Sequence, residues 1–266
     1  MISGVAIRVR PFYSSPMHPA PSPLTQHLID LARAAGRAIM AIYATDFTAK
    51  SKSDLTPVTE ADEAAERIIL DGLARLYPEI PVISEEAAAA GRIPAVADHF
   101  FLVDPLDGTK EFISRNGEFT VNIAEIKQGV PVAGVVFAPA RQRIFWGELG
   151  KGAAEGTAPI QVRKPSSDGA TVVASRSHRD AATDEYLSKI KVKSLCSAGS
   201  SLKFCLIAAG EADLYPRFGR TMEWDTAAGH AVLLAAGGKV LTTDGNPLSY
   251  GKRDQGYANP AFIASA

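Results

Sequence analysis

The chain has 266 residues, with 28 Lys and Arg against 29 Asp and Glu and a formal net charge of −1. Such balance offers no argument for a nucleic-acid coat or a polybasic membrane anchor, so any anionic ligand must be held by local charge. No stretch approaches the roughly 18 uncharged apolar residues of a spanning helix, and the length suits two closely packed lobes.

Residues 1–23 carry Arg8, Arg10 and several prolines without the apolar core of a signal peptide, and are expected to be a disordered extension. Leu24, Leu28, Leu31, Ala35, Ile39 and Ile42 then recur at helical spacing and predict a helix to Tyr43. A polar loop with Lys50, Lys52 and Asp54 follows. Thr59 as a cap, with Glu60 and Asp62 in the first turn, opens a second helix to about Leu76. Short apolar runs at residues 82–83, 100–103, 120–126, 132–137 and 143–148 predict strands. Residues 150–159 read as loop and mark the expected boundary between an N-terminal lobe, 24–155, and a C-terminal lobe, 156–266. Beyond it, strands are expected at 171–174, 212–215 and 239–242, with helices at 199–209 and 225–236, the last stopped by Gly237 and Gly238. The order is α/β, or α+β. Cys196 and Cys205 have no partners at metal-ligand spacing and are expected to be buried or half-buried reduced thiols, which fits a reducing cytoplasm.

The chemistry concentrates at strand ends. The run Phe101-Leu102-Val103 delivers Asp104 to the end of a buried strand, and Pro105 and Gly108 imply a tight turn through Asp104-Pro105-Leu106-Asp107-Gly108-Thr109. In such a turn Asp104, Asp107 and the Leu106 carbonyl offer the hard oxygens that Mg²⁺ prefers. Alone, the same residues also read as an ordinary Asp-Gly turn. Two further acidic placements favour the metal reading: Glu85 and Glu86 follow the strand at 82–83, and Asp225 opens an apolar helix whose N-terminal amides suit a phosphate.

Together, Asp62, Glu85-Glu86, Asp104-Pro-Leu-Asp107-Gly-Thr109 and Trp224-Asp225-Thr-Ala-Ala228 resemble the lithium-sensitive, magnesium-dependent phosphatases of the inositol monophosphatase family over about residues 24–262. The resemblance implies a layered αβαβα sandwich. It also implies that Glu85, Asp104, the Leu106 carbonyl, Asp107 and Asp225 hold two or three Mg²⁺ ions, with Glu86 behind them. Thr109 and Asp62 would orient the attacking water, and no covalent intermediate is implied.

For the substrate, Arg217 falls near the position where inositol phosphatases carry a glutamate, and a guanidinium suits a second phosphate rather than a polyol. The run from Tyr215 to Gly219, followed by Trp224-Asp225, looks like the bacterial CysQ-type 3′(2′),5′-bisphosphate nucleotidases within that family, which implies adenosine 3′,5′-bisphosphate as substrate. Gly108, Thr109, Gly199, Ser200, Ser201, Lys203, Arg217 and Asp225 are then the expected substrate contacts, with Lys50 and Lys52 open candidates. His178 and His230 tempt a general-acid role, but packing is the preferred reading for His230. An inositol- or sugar-phosphate phosphatase is the alternative enzyme, and a nucleotide- or metal-binding regulator without turnover the alternative of another class. The expected location is cytoplasmic, with a peripheral place at the inner membrane left open, and oligomeric state is not legible.

Overall fold

The computed structural model describes residues 19–45, 50–51, 57–58, 60–95, 98–175 and 180–266. Most of the expected N-terminal extension lies outside them, as do Lys52, Asp54, Thr59 and His178; Lys50 is described only as part of a two-residue strand.

Helix α1 (Pro23–Tyr43) begins where Ser22 caps it, the Ser22 Oγ accepting the Thr25 amide at 3.2 Å. Pro23 fits the first turn, where no amide partner is needed. Thr25 Oγ1 also donates to Glu148 Oε2 at 2.6 Å, which ties the helix start to a distant strand end. A small ladder, β1 (Lys50–Ser51) with β2 (Pro57–Val58), precedes α2 (Glu60–Leu76). Next come β3 (Val82–Ser84), α3 (Glu85–Ala89), β4 (His99–Asp107), α4 (Thr109–Ile113), β5 (Thr120–Lys127), β6 (Val130–Ala138), β7 (Arg143–Glu148), β8 (Gly152–Glu155) and β9 (Ala158–Ile160). These strands form one sheet in chain order, β3 to β9, parallel only at β3–β4.

The remainder comprises β10 (Ala170–Ser175), α5 (Ala181–Ser188), β11 (Val192–Ala198), α6 (Leu202–Ala208), β12 (Leu214–Arg217), β13 (Thr221–Met222), α7 (Glu223–Ala235), β14 (Lys239–Thr242), β15 (Ala258–Asn259) and β16 (Phe262–Ser265). A second sheet has the order β11-β10-β12-β16-β14.

Alternation along the strands sorts the core into two. Phe101, Val103, Val121, Ile123 and Val135 face α1 and α2, whereas Phe100, Leu102, Ala124, Ile126 and Val136 face α6, α7 and the second sheet. With α5 packed outside β12, the layers run α-β-α-β-α, as the resemblance implied. Helix α7 lies unusually close to the first sheet. A Cβ on Gly134 would stand 2.6 Å from the Ala228 carbonyl oxygen, and one on Gly147 2.6 Å from Val232 Cα, so only glycine permits the approach.

Three expectations change. Residues 150–159 are not a loop: β8 and β9 extend the first sheet through Ile160. The helix expected from Gly199 starts at Leu202, and residues 199–201 form the turn before it. Cys205 is buried as expected, but Cys196 is exposed on the edge strand β11. Among the described residues, no helix is long and apolar enough to cross a membrane.

Candidate active site

A regular strand would send Asp104 and Asp107, three residues apart, to opposite faces. Strand β4 pairs Asp104 with Asn122 but Asp107 with Thr120, so three steps on β4 meet two on β5. The extra residue is a bulge, and it brings both carboxylates to one cavity of about 470 Å³. Pro105 sits inside the bulge, where a missing amide donor is tolerated. The expected tight turn is therefore a bulged strand end, and the chain leaves it through Gly108 at φ +92°.

Three carboxylates converge there. Glu85 at the start of α3, Asp104 on β4 and Asp225 in the first turn of α7 place one oxygen each within 4.8 Å of one another. Asp225 is also a helix cap, because its Oδ2 accepts the Met222 amide at 2.8 Å. Burial and then the neighbouring charges of Glu85, Asp107, Asp225 and Asp62 hold Asp104 well above the ordinary aspartate pKa of 3.8. Asp225 is raised in the same way, by burial and then by Asp107 and Glu85. Crowded, desolvated carboxylates of this kind are the donor set that a hard divalent cation neutralises, so the residues fit a metal.

Asp107 is seated differently. Its Oδ2 accepts the Ser201 amide at 2.7 Å and Asn122 Nδ2 at 3.2 Å, and burial raises its pKa while Lys203 and these hydrogen bonds oppose the rise. The seat depends on the 199–201 turn. Ser200 adopts φ +51°, held by its one hydroxyl proton, which the carbonyls of Asp107 and Glu118 share at Oγ distances of 2.8 and 2.9 Å. The Gly199 amide donates to Glu118 Oε2 at 2.9 Å, and Ser201 Oγ donates to the Asp225 carbonyl at 2.6 Å. One turn therefore ties β4 to α7.

The remaining expected residues divide. Gly108, Thr109, Gly199, Ser200, Lys203 and Arg217 line the cavity with the carboxylates. Thr109 Oγ1 donates to the Leu106 carbonyl at 3.4 Å, and Asp62 lies buried near enough to raise the pKa of Asp104. Lys203 turns inward: its ammonium donates to the carbonyls of Ser200 and Ala198 at 2.6 and 3.3 Å and sits 5.2 Å from the Tyr215 ring centroid. Burial pulls its pKa down to about 8. Arg217 Nη2 donates to the Arg220 carbonyl at 3.1 Å. Glu86 is half-buried on α3, whose Ala87 amide is taken by Glu66 Oε1 at 3.1 Å. His230 is buried against the Tyr250 hydroxyl at 2.9 Å, and burial pushes its pKa down to about 3, so it is a neutral packing residue.

Sequence reasoning passed over Asn122, Glu118, Lys110 and Arg220. Asn122 had a signal, being a polar side chain on the apolar face of a strand. Glu118 had none, since its partners Gly199, Ser200 and Arg141 are distant in the chain.

Residues 20–265 match the profile of the inositol monophosphatase family. The chain is 49% identical over 247 residues to the 3′(2′),5′-bisphosphate nucleotidase CysQ of Escherichia coli O157:H7, covering 91% of this chain and 99% of that protein. Its fold matches a crystal structure of CysQ from Bacteroides thetaiotaomicron with a TM-score of 0.78 and 39% identity, over 91% of this chain and 97% of that one. It matches an IMPase of Thermotoga maritima with the same TM-score and 25% identity, over 92% of each chain. With a family profile matching nearly the whole chain and the layered sandwich shared with these structures, the chain belongs to the inositol monophosphatase family, whose members are metal-dependent.

Proposed function

We propose that this enzyme is a Mg²⁺-dependent 3′(2′),5′-bisphosphate nucleotidase that releases the 3′-phosphate of adenosine 3′,5′-bisphosphate, leaving AMP. The observation that carries the reading is the Glu85, Asp104 and Asp225 cluster beside Asp107, in a cavity that also holds Lys110, Lys203, Arg217 and Arg220. Acidic ligands there serve the scissile phosphate, and cations suit a substrate with a second one. The 49% identity to a bisphosphate nucleotidase supports the same substrate class.

Glu85, Asp104, the Leu106 carbonyl, Asp107 and Asp225 would hold two or three Mg²⁺ ions. Bound there, the ions acidify water and offset charge on the leaving oxygen. The protein's own part is positioning. Asp62 and Thr109 orient the attacking water, with Asp62 buried behind Asp104 and Thr109 at the first turn of α4. Glu85 acts beside them, and Glu86 supports α3. The α7 N-terminus presents backbone amides to the phosphate near Asp225. Direct attack by water needs no side-chain nucleophile, and the Lys203 amine, which burial holds at a pKa of about 8, is turned to the Ser200 and Ala198 carbonyls. The reaction suits the cytoplasm, where both free thiols persist.

Phosphate release from adenosine 3′,5′-bisphosphate and inositol 1-phosphate, measured side by side, tests the substrate. We expect kcat/KM to favour the nucleotide by roughly a hundredfold, because cations left without a phosphate partner penalise the polyol. Preference for inositol 1-phosphate would assign the same chemistry to a sugar-phosphate phosphatase.

A further inference from the structure

We infer that Glu118 is a positioning residue: it fixes the 199–201 turn that seats the Asp107 carboxylate, and through that turn it sets how tightly the acidic cluster holds divalent metal. The inference rests on the metal reading above and extends it to Glu118 and its partner Arg141, two side chains that do not line the cavity.

The loop between α4 and β5 is shaped to deliver a buried carboxylate. Arg115 and Gly117 adopt φ +56° and +75°, and Asn116 Oδ1 accepts the Glu118 amide at 2.8 Å. The chain then enters β5 with Glu118 only 5% exposed and both carboxylate oxygens paired. Arg141, at the end of the turn Pro139–Arg141 after β6, donates from Nη2 to Oε1 at 2.7 Å, and the Gly199 amide donates to Oε2 at 2.9 Å. A carboxylate taken out of water needs such a cation to offset its desolvation. Its charge in turn strengthens the bond from the Gly199 amide.

Glu118 grips the turn at a second point, because its own carbonyl shares the Ser200 hydroxyl proton, with Oγ 2.9 Å away. The approach is close. A Cβ on Gly199 would stand 2.5 Å from the Glu118 carbonyl oxygen and 2.9 Å from the Glu118 Cβ, so glycine is what lets the amide reach the carboxylate. Ser201, two residues on from Gly199, gives its amide to Asp107 Oδ2 at 2.7 Å and its hydroxyl to the Asp225 carbonyl at 2.6 Å. Between them Ser200 sits at φ +51°, a conformation that persists only where surrounding bonds impose it. Without a correctly placed acceptor at Glu118, the Gly199 amide is left unpaired, Ser200 relaxes from the left-handed region, and the Ser201 amide moves off Asp107. Glu118 therefore acts on Asp107 through the backbone, from outside the cavity.

Calorimetric titration of the stripped protein with Mg²⁺ reads the effect without turnover. Glu118→Asp keeps the charge for Arg141 but falls one methylene short of Gly199, and its Kd for Mg²⁺ should rise roughly tenfold, the usual loss when the support of a metal-holding group is disturbed. Glu118→Gln keeps an acceptor at the right reach and loses only the pairing with half-exposed Arg141, so its Kd should stay within about threefold of the wild type. A role confined to the ion pair predicts the opposite order. That order, or a Kd unchanged in Glu118→Asp, would overturn the inference. Asp107→Asn is the reference: if it loses affinity while Glu118→Asp keeps it, the positioning role alone fails. If Asp107→Asn binds Mg²⁺ as tightly as the wild type, Asp107 is no metal ligand, and the positioning role falls with that assignment.

Discussion

Replacing Asp104 with Asn should cost at least a hundredfold in turnover while making the metal-free protein more stable. The two effects have one cause. Asp104 is buried among Glu85, Asp107, Asp225 and Asp62, so its carboxylate is held well above pKa 3.8 by desolvation and like charge. From 3.8 upward to the raised value, the folded chain binds a proton that the unfolded chain has lost. Stability therefore falls as pH rises through that interval and stays low above it. An amide removes the repelling charge, and the melting temperature of the metal-free protein should rise by roughly 2–4 °C per kcal/mol relieved. The gain should fade as pH is lowered toward 3.8, where the wild-type carboxyl is itself neutral. Thermal melts in chelator at several pH values, beside turnover with Mg²⁺, separate this account from simple misfolding. A variant both less stable and inactive would contradict it.

Gly108→Ala should be the most damaging small substitution. The new Cβ would meet Ser200 Oγ at 2.3 Å and the Glu118 carbonyl oxygen at 3.3 Å, on a backbone at φ +92°. Ser200 Oγ is the group that bonds the Asp107 and Glu118 carbonyls, so the clash pushes on the turn that seats Asp107. Left-handed strain and overpacking together should cost about 2–5 kcal/mol. An Asp107 carboxylate displaced by about 1 Å should lower kcat by about a hundredfold if it holds metal as proposed. Gly150→Ala is the control, since Gly150 has a similar φ of +80° and nothing within 4 Å of its Cβ. It should lose only the backbone contribution and keep full activity. Denaturant unfolding and kcat on both variants decide between a crowded site and backbone strain alone.

The three clustered carboxylates were legible because they stand where local rules put them: Glu85 after a short strand, Asp104 at a buried strand end, Asp225 in a helix first turn. What joins them was not. The bulge at Pro105 and Leu106 exists only through pairing with β5, and without it Asp104 and Asp107 would face apart. The seat of Asp107 comes from Ser201, 94 residues away, through a left-handed Ser200 whose type gives no hint of it. Lys203 lines the cavity as expected, but that its ammonium donates to the Ser200 and Ala198 carbonyls is shown only by the fold. Strands β8 and β9 hid for a simpler reason. Gly152-Ala-Ala-Glu155 lacks β-branched residues, and Pro159 reads as a breaker although an edge strand accepts it. The same holds for β11, whose mostly exposed residues show no apolar alternation.

On the proposed mechanism, the carboxylates at the end of β3, on β4 and at the start of α7 hold divalent metal against a phosphate ester. Phosphate release from adenosine 3′,5′-bisphosphate by one preparation, stripped of divalent ions and then titrated with Mg²⁺, tests it most directly. Release should fall to background when the enzyme is stripped and recover fully on titration, with Asp225→Asn unable to recover. Undiminished release by the stripped wild-type enzyme would contradict it.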